Sequence, residues 1–179
     1  MKALLLIDIQ NDYFPGGKFE LTGASTALKN AKLILEQFRQ AKLPIIHVQH
    51  INIRENATFF IPETEGVNIH PELTPLADET LVIKHFPNSF FQTSLQQQLC
   101  EKQITELVVV GMMSHMCIDT TVRAAKDHGL PVILLSDACA TRDLNFEGEI
   151  IPAAWVQKSF MAALNGMFAQ VIETENYKI

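Results

Sequence analysis

The stretch VVVGMMSHMCIDTT, at residues 108–121, decides the fold class of this chain. Three β-branched valines favour a strand, and Gly111 leads from it into a helical pattern in which Ile118 and Val122 share one face. A continuous apolar strand followed directly by a helix is typical of a parallel sheet covered on both sides. Cys117 lies where the helical pattern begins, and the unpaired N–H groups of a helix start favour the thiolate, which is the nucleophilic form. A buried structural cysteine is the alternative interpretation.

Strand and helix patterns alternate along the whole chain. Loop residues 52–78 carry several prolines and no sustained period, and loops of this length tend to be functional. We therefore predict an α/β fold, a three-layer α/β/α sandwich around a central six-stranded, mostly parallel sheet, in a single domain over residues 1–179. The predicted strands cover 3–7, 44–48, 80–83, 107–110, 131–135 and 169–172, and the predicted helices lie near 28–38 (capped by Ser25 or Thr26), 93–100, 118–128 and 152–167.

Composition limits the possible partners. The chain has 179 residues and a formal net charge of −6 at pH 7. This charge argues against a nucleic-acid partner, since a protein surface that binds nucleic acid needs a cluster of basic residues. No apolar run approaches the roughly 20 residues of a membrane span, and three cysteines without CxxC spacing do not suggest a disulfide framework or structural zinc. We expect a cytoplasmic protein with a small-molecule partner and with neither a nucleic-acid nor a membrane partner.

Three reactive residues follow different predicted strands. Asp8 ends the first strand, Lys84 ends the third, and Cys117 follows the fourth. The carboxyl ends of parallel strands share one edge of the sheet, where ligands bind in open α/β folds. One interpretation is a buried ion pair between Asp8 and Lys84 that only holds the sheet edge together. In the functional interpretation, Lys84 stabilises the anion of Cys117, while Asp8 takes the thiol proton and later passes it to a leaving group.

These residues lie in or beside three segments, IDIQNDYF at 7–14, IKHFPNSF at 83–90 and GMMSHMC at 111–117. The segments resemble the signature segments of the isochorismatase-like cysteine hydrolases, a family that includes nicotinamidases and N-carbamoylsarcosine amidases. The resemblance covers nearly the whole chain and implies a catalytic triad of Asp8, Lys84 and Cys117. It also implies a cis peptide bond between Met112 and Met113 and an oxyanion hole formed by the backbone N–H groups of Met113 and Cys117.

The resemblance further implies the reaction and the assembly. We expect cysteine-dependent hydrolysis of an amide or carbamoyl-type C–N bond through a thioester, with no cofactor, in a homodimer or homotetramer. Nicotinamidases hold a divalent metal through an Asp-x-His pair after the second strand. The corresponding residues here are QHIN at 49–52, so we predict no metal. The expected substrate pocket contains Tyr13, Phe14, Phe90 and His50, although ordinary packing is an alternative role for the aromatic residues.

Two other functions stay open at this level. An isochorismatase-type enzyme would cleave a vinyl ether with Asp8 as the acid, and it would release pyruvate rather than ammonia or an amine. A non-catalytic small-molecule-binding module could use the same sheet edge, although the chain lacks a GxGxxG or Walker loop. A depressed pKa of Cys117 would favour catalysis over the binding module.

Overall fold

Eight strands and four helices make up the fold in the computed structural model, which describes residues 1–179. Six of the strands form the central sheet, in the order β3-β2-β1-β4-β5-β8, and every pairing between them is parallel. The predicted α/β fold with a six-stranded sheet is therefore confirmed. The strands are β1 (Lys2–Ile7), β2 (Ile45–His50), β3 (Thr80–Lys84), β4 (Glu106–Met112), β5 (Val132–Ala140), β6 (Leu144–Phe146), β7 (Glu149–Ile151) and β8 (Gln170–Ile172), and the helices are α1 (Ala24–Gln40), α2 (Leu95–Glu101), α3 (Asp119–Asp127) and α4 (Ala153–Leu164).

The two faces of the sheet support two separate apolar clusters. Alternate residues of a strand point to opposite faces, so Leu4 and Leu6 pack in the cluster that contains the buried face of α1. Leu5 and Ile7 pack in the other cluster, which contains buried apolar residues from α2, α3 and α4. Strand β1 is thus apolar on both sides, as a central strand of a sandwich must be. No helix has the length and hydropathy that a membrane span requires.

Several element boundaries differ from the sequence prediction. Helix α1 begins at Ala24 after Gly23, not at a Ser25 or Thr26 cap, because its buried face already starts with Ala24 and Ala27. Strand β5 continues five residues beyond the predicted end at Leu135, since its second half pairs with the end of β4 across an irregularity in the register. The last predicted helix is shorter at its carboxyl end, where α4 stops at Leu164.

Two features were absent from the prediction. Strands β6 and β7 form a short antiparallel hairpin outside the main sheet, around a turn at Glu147 and Gly148. The long loop 52–78 contains two short 3₁₀ turns, at Glu65–Val67 and Pro71–Leu73. Each of these segments is only three residues long, too short for hydrophobic periodicity to reveal it.

Gly111 determines how closely the carboxyl ends of β1 and β4 approach. Its φ of +133° is a conformation that residues with a side chain rarely adopt. A Cβ at this position would overlap the backbone of Ile7, the residue paired with Gly111 across the two strands. The missing side chain therefore allows the two strand ends that precede Asp8 and Cys117 to lie side by side.

Candidate active site

Three strand ends deliver the three predicted reactive residues to one edge of the sheet. Asp8 follows β1 with a φ of +52°, a left-handed conformation that aspartate tolerates better than most residues. Lys84 is the last residue of β3, two strands away from β1. Neighbouring strands lie about 4.8 Å apart, so the long lysine side chain is suited to crossing β2 toward Asp8. Cys117 lies beyond β4, in the single π-helical turn Ser114–Ile118 that leads into α3.

The ammonium group of Lys84 contacts four other groups of the site. Its Nζ lies 2.7 Å from Asp8 Oδ2 and 3.2 Å from Cys117 Sγ. It also lies 3.0 Å from His50 Nδ1, and it donates to the carbonyl oxygen of Phe86 at 3.1 Å. The side chains of Asp8 and Lys84 are fully buried. Burial lowers the pKa of Lys84, but the adjacent carboxylate of Asp8 and the hydrogen bond to the sulfur of Cys117 raise it by more, so the ammonium stays charged.

His50 is a neutral member of this cluster. Strands β2 and β3 pair His50 with Lys84 in register, which places the imidazole beside the ammonium. Burial lowers the pKa of His50, Asp8 opposes this effect, and Lys84 adds to it. The resulting pKa is about 4. The imidazole is therefore uncharged near pH 7, and its Nδ1 accepts a hydrogen bond from Lys84.

The thiol of Cys117 is protonated in the resting site, which corrects the prediction of a thiolate. Burial raises the pKa of Cys117 above its usual range, and the nearby carboxylate of Asp8 raises it further. Lys84 lowers this pKa, but by less. The sequence argument counted the helix start and the lysine, but not the burial of Cys117, which is only 4% exposed. The depressed pKa that was expected of a catalytic Cys117 is therefore not found, and catalysis requires a base in contact with the sulfur that removes its proton.

Asp8 has the position and the free capacity for this task. Ligand atoms of Asp8, His50 and Cys117 lie within 4.8 Å of one another. Both carboxylate oxygens of Asp8 are buried without a hydrogen-bond partner in the protein, although Oδ2 lies 2.7 Å from Lys84 Nζ in an ion pair. A buried carboxylate oxygen without a partner is costly, and it is suited to accepting a proton from the adjacent thiol or from a substrate.

The trio of Asp8, His50 and Cys117 offers carboxylate, imidazole and thiolate ligands, the types that bind zinc. Lys84 Nζ, however, contacts all three side chains at 2.7–3.2 Å. A divalent cation would have to displace or lie against this buried ammonium, and the repulsion between the two charges makes the trio a poor metal site.

A small cavity of about 110 Å³ opens next to the sulfur. Of the four residues predicted for the pocket, Tyr13 and His50 line it. Phe14 instead packs against the ring of His70, with 4.4 Å between ring centroids, because it points away from its neighbour Tyr13. Phe90 packs against His128 and the core on the α3 side. The complete lining is Tyr13, His50, Asn52, Arg54, Phe59, Phe60, Pro87, Met113, Met116 and Cys117.

The long loop supplies four cavity residues that sequence reasoning missed. Buried polar side chains of the segment IDIQNDYF, at residues 7–14, make hydrogen bonds that hold this loop in place. Gln10 donates to the carbonyl oxygens of His50 and Val67 at 2.8 and 2.7 Å, and Asp12 Oδ2 accepts from the N–H of Phe60 at 2.6 Å. The clearest signal in the sequence was the adjacent pair of aromatic residues FF at 59–60.

The predicted oxyanion hole consists of the backbone N–H groups of Met113 and Cys117. The peptide bond between Met112 and Met113 is cis. The carbonyl oxygen of Met113 accepts from the N–H groups of Met116 and Ile118. Met113 and Cys117 both border the cavity. The use of their N–H groups as oxyanion donors stays a prediction.

Known proteins resemble this chain along most of its length. A family model described as "Isochorismatase domain" matches residues 2–176. The isochorismatase family protein YddQ of Bacillus subtilis (strain 168) is 54% identical over 175 residues, which cover 98% of this chain and 97% of that protein. A streptothricin hydrolase of Streptomyces noursei is 30% identical over 167 residues, which cover 92% of this chain and 65% of the hydrolase.

The solved structures agree as well. The crystal structure of an isochorismatase from Pseudomonas putida KT2440 is 37% identical in sequence and superimposes with a TM-score of 0.93, covering 99% of this chain and 90% of that one. These matches confirm the resemblance of the three sequence segments. The chain belongs to the isochorismatase family of hydrolases.

Proposed function

We propose that this protein hydrolyses an amide or carbamoyl-type C–N bond of a small molecule, with Cys117 as nucleophile and Asp8 as proton carrier. One observation carries the proposal: Lys84 Nζ holds Asp8 and Cys117 at 2.7 and 3.2 Å in a buried cluster that opens onto a small cavity. An ion pair that only stabilised the sheet edge would need neither a thiol in contact with the ammonium nor a cavity beside it.

The first half of the reaction forms a thioester. The thiol proton of Cys117 moves to Asp8 as the sulfur attacks the carbonyl carbon of the substrate. The negative charge that develops on the carbonyl oxygen is stabilised by the N–H groups of Met113 and Cys117, and one such donor typically lowers the barrier by about 3 kcal/mol. Protonated Asp8 then donates to the departing nitrogen, the C–N bond breaks, and ammonia or an amine leaves.

The second half regenerates the thiol. A water molecule gives a proton to Asp8 and attacks the thioester carbon, and the C–S bond then breaks. Asp8 returns the proton to the sulfur, and the product is the carboxylic acid. Lys84 stays charged throughout, so its role is to stabilise the two neighbouring groups whenever either is an anion. His50, neutral near pH 7, contributes an acceptor that orients the ammonium.

A substrate screen tests the proposal. Small primary amides and carbamoyl compounds are incubated with the wild-type protein and with the variants Cys117→Ala, Asp8→Asn and Cys100→Ala, and ammonia is measured. We expect release of ammonia by the wild type and by Cys100→Ala, which alters an exposed cysteine, and a loss of at least about 1,000-fold in the other two variants. Full activity of Cys117→Ala would overturn the mechanism.

The same screen separates the two alternative functions. Isochorismate is included in the panel, and pyruvate is measured beside ammonia. Pyruvate release that survives Cys117→Ala would indicate vinyl ether cleavage with Asp8 as the acid. Saturable binding of a panel compound with no release of either product would indicate a non-catalytic binding module.

A further inference from the structure

We infer that the substrate is a small anion, a short monoamide that carries a carboxylate at the end away from the scissile bond, and that Arg54 binds this carboxylate. The inference rests on the proposed function for the identity of the scissile bond. It rests on the cavity alone for the charge of the ligand.

Arg54 gives the cavity its only formal charge. The other lining residues are aromatic, apolar or amide side chains, together with the protonated thiol of Cys117 and neutral His50. Beneath the sulfur, the charges of Asp8 and Lys84 compensate each other across 2.7 Å. A ligand in this cavity therefore meets one uncompensated positive charge, at the exposed side of the pocket.

Arg54 also differs from the other three arginines of the chain, each of which has a partner. Arg39 pairs with Glu79, Arg123 pairs with Asp119, and Arg142 lies over the ring of Phe19. No ion pair and no side-chain hydrogen bond involves the guanidinium group of Arg54. The group presents its donors in a planar fork that matches a carboxylate, and all of these donors are free for a ligand.

The size of the cavity defines the rest of the ligand. A volume of about 110 Å³ is smaller than the roughly 150 Å³ apolar cavity that accommodates benzene. Only a few heavy atoms fit between the sulfur of Cys117 and the mouth where Arg54 lies. Arg54 is one of the groups that lower the pKa of His50, so its positive charge acts on groups inside the cavity. Malonamate and succinamate match these limits when the scissile amide lies inside the cavity and the carboxylate lies outside it, at the exposed side chain of Arg54.

An alkylation experiment tests the charge preference without any turnover. Iodoacetate and iodoacetamide differ only in a carboxylate against a carboxamide, and both react with the same thiolate. The rate ratio of the two reagents at Cys117 therefore cancels any change in thiol ionisation. The rates are measured by peptide mass spectrometry in a Cys100→Ala background, for Arg54→Gln and for Lys42→Gln. The matched control removes one exposed positive charge just before β2, at the opposite end of the sheet.

We expect Arg54→Gln to lower the iodoacetate-to-iodoacetamide ratio about fivefold, the upper end of the effect of a partly exposed ion pair. Lys42→Gln should leave the ratio within about 1.5-fold, since its charge lies beyond the screening length of the solution. An unchanged ratio in Arg54→Gln, or an equal fall in both variants, would overturn the inference.

Isosteric substrates provide the second arm. Succinamate is compared with succinamide, and malonamate with malonamide, in the wild type and in Arg54→Gln. We expect the wild type to prefer the acid amides in kcat/KM and the variant to lose this preference mainly through KM. Equal hydrolysis of the neutral diamides would overturn the inference while the proposed function stands. If no amide is hydrolysed, the proposed function fails, and the alkylation ratio still decides whether Arg54 selects anions.

Discussion

Lys84 Nζ lies 2.7 Å from Asp8 Oδ2, and neither side chain is exposed to solvent. The two residues come from strands that are not neighbours, since β2 lies between β3 and β1. A buried pair of this kind strongly destabilises the protein when only one partner is removed, because an uncompensated charge is left in the interior.

Replacing Lys84 alone should therefore lower the stability of the folded protein. We expect Lys84→Met to lower the free energy of unfolding by about 3–5 kcal/mol, and the double variant Lys84→Met/Asp8→Asn to recover part of this loss. Urea denaturation measures both. The control is Lys32→Met, which breaks an exposed pair with Glu72 and should change the free energy of unfolding far less. Additive losses from the two single substitutions at the site would contradict the coupling.

The raised pKa of Cys117 predicts an unusual pH profile for its alkylation. Because the resting thiol is protonated, the rate with iodoacetamide should keep rising with pH through pH 9 without a plateau. Asp8→Asn removes the carboxylate that raises this pKa, so the profile should shift to lower pH. Peptide mass spectrometry of a Cys100→Ala background isolates the reaction at Cys117. A plateau below pH 7 in the wild type would mean that the thiolate is already formed at rest.

His50 links stability to pH. Its pKa falls from the usual 6.5 to about 4 in the folded protein, so below pH 6.5 the unfolded chain binds the proton more readily. Stability from this group is complete above pH 6.5 and is lost as the pH falls toward 4, by an amount on the order of 3 kcal/mol. His50→Gln, which keeps an acceptor for Lys84, should lack this part of the pH dependence. Identical pH dependence of unfolding in the two proteins would rule out the shifted pKa.

Gly111 should tolerate no side chain. Gly111→Ala would place a Cβ against the backbone of Ile7, and we expect a loss of about 2–4 kcal/mol in the free energy of unfolding. Gly148→Ala is the matched control, since Gly148 also has a positive φ, +86°, but no atom within 4 Å of the added Cβ. That variant should lose only about 1 kcal/mol, the cost of the left-handed conformation. Equal losses in the two variants would show that backbone conformation, not the close approach of β1 and β4, decides the effect.

The sequence predicted the layered fold, which depends on hydrophobic runs, and the reactive residues that follow the strand ends. Continuous apolar strands such as β1 and β4 can lie only in a sheet covered on both faces, so the layered fold followed from them. Asp8 and Lys84 were found because a charge directly after a buried strand requires a partner. Lys84 and Cys117 come together because the carboxyl ends of parallel strands share one edge.

The cavity walls could not be predicted in the same way. Phe59, Phe60 and Arg54 lie in a loop without periodicity, and their positions depend on single hydrogen bonds such as the one from the N–H of Phe60 to Asp12. Likewise, the pKa of Cys117 depends on how deeply the sulfur is buried, which spacing along the chain does not reveal. The predicted homodimer or homotetramer stays a prediction.

The central claim is that the sulfur of Cys117 becomes acylated during turnover, and rapid-quench intact-mass spectrometry tests it most directly. The protein is mixed with an amide that releases ammonia and is quenched with acid before steady state. We predict a mass increase equal to the acyl group, located on the peptide that contains Cys117, formed at the rate of ammonia release and absent in Cys117→Ala. Ammonia release by the wild type with no adduct at any time, together with undiminished release by Cys117→Ala, would contradict the account.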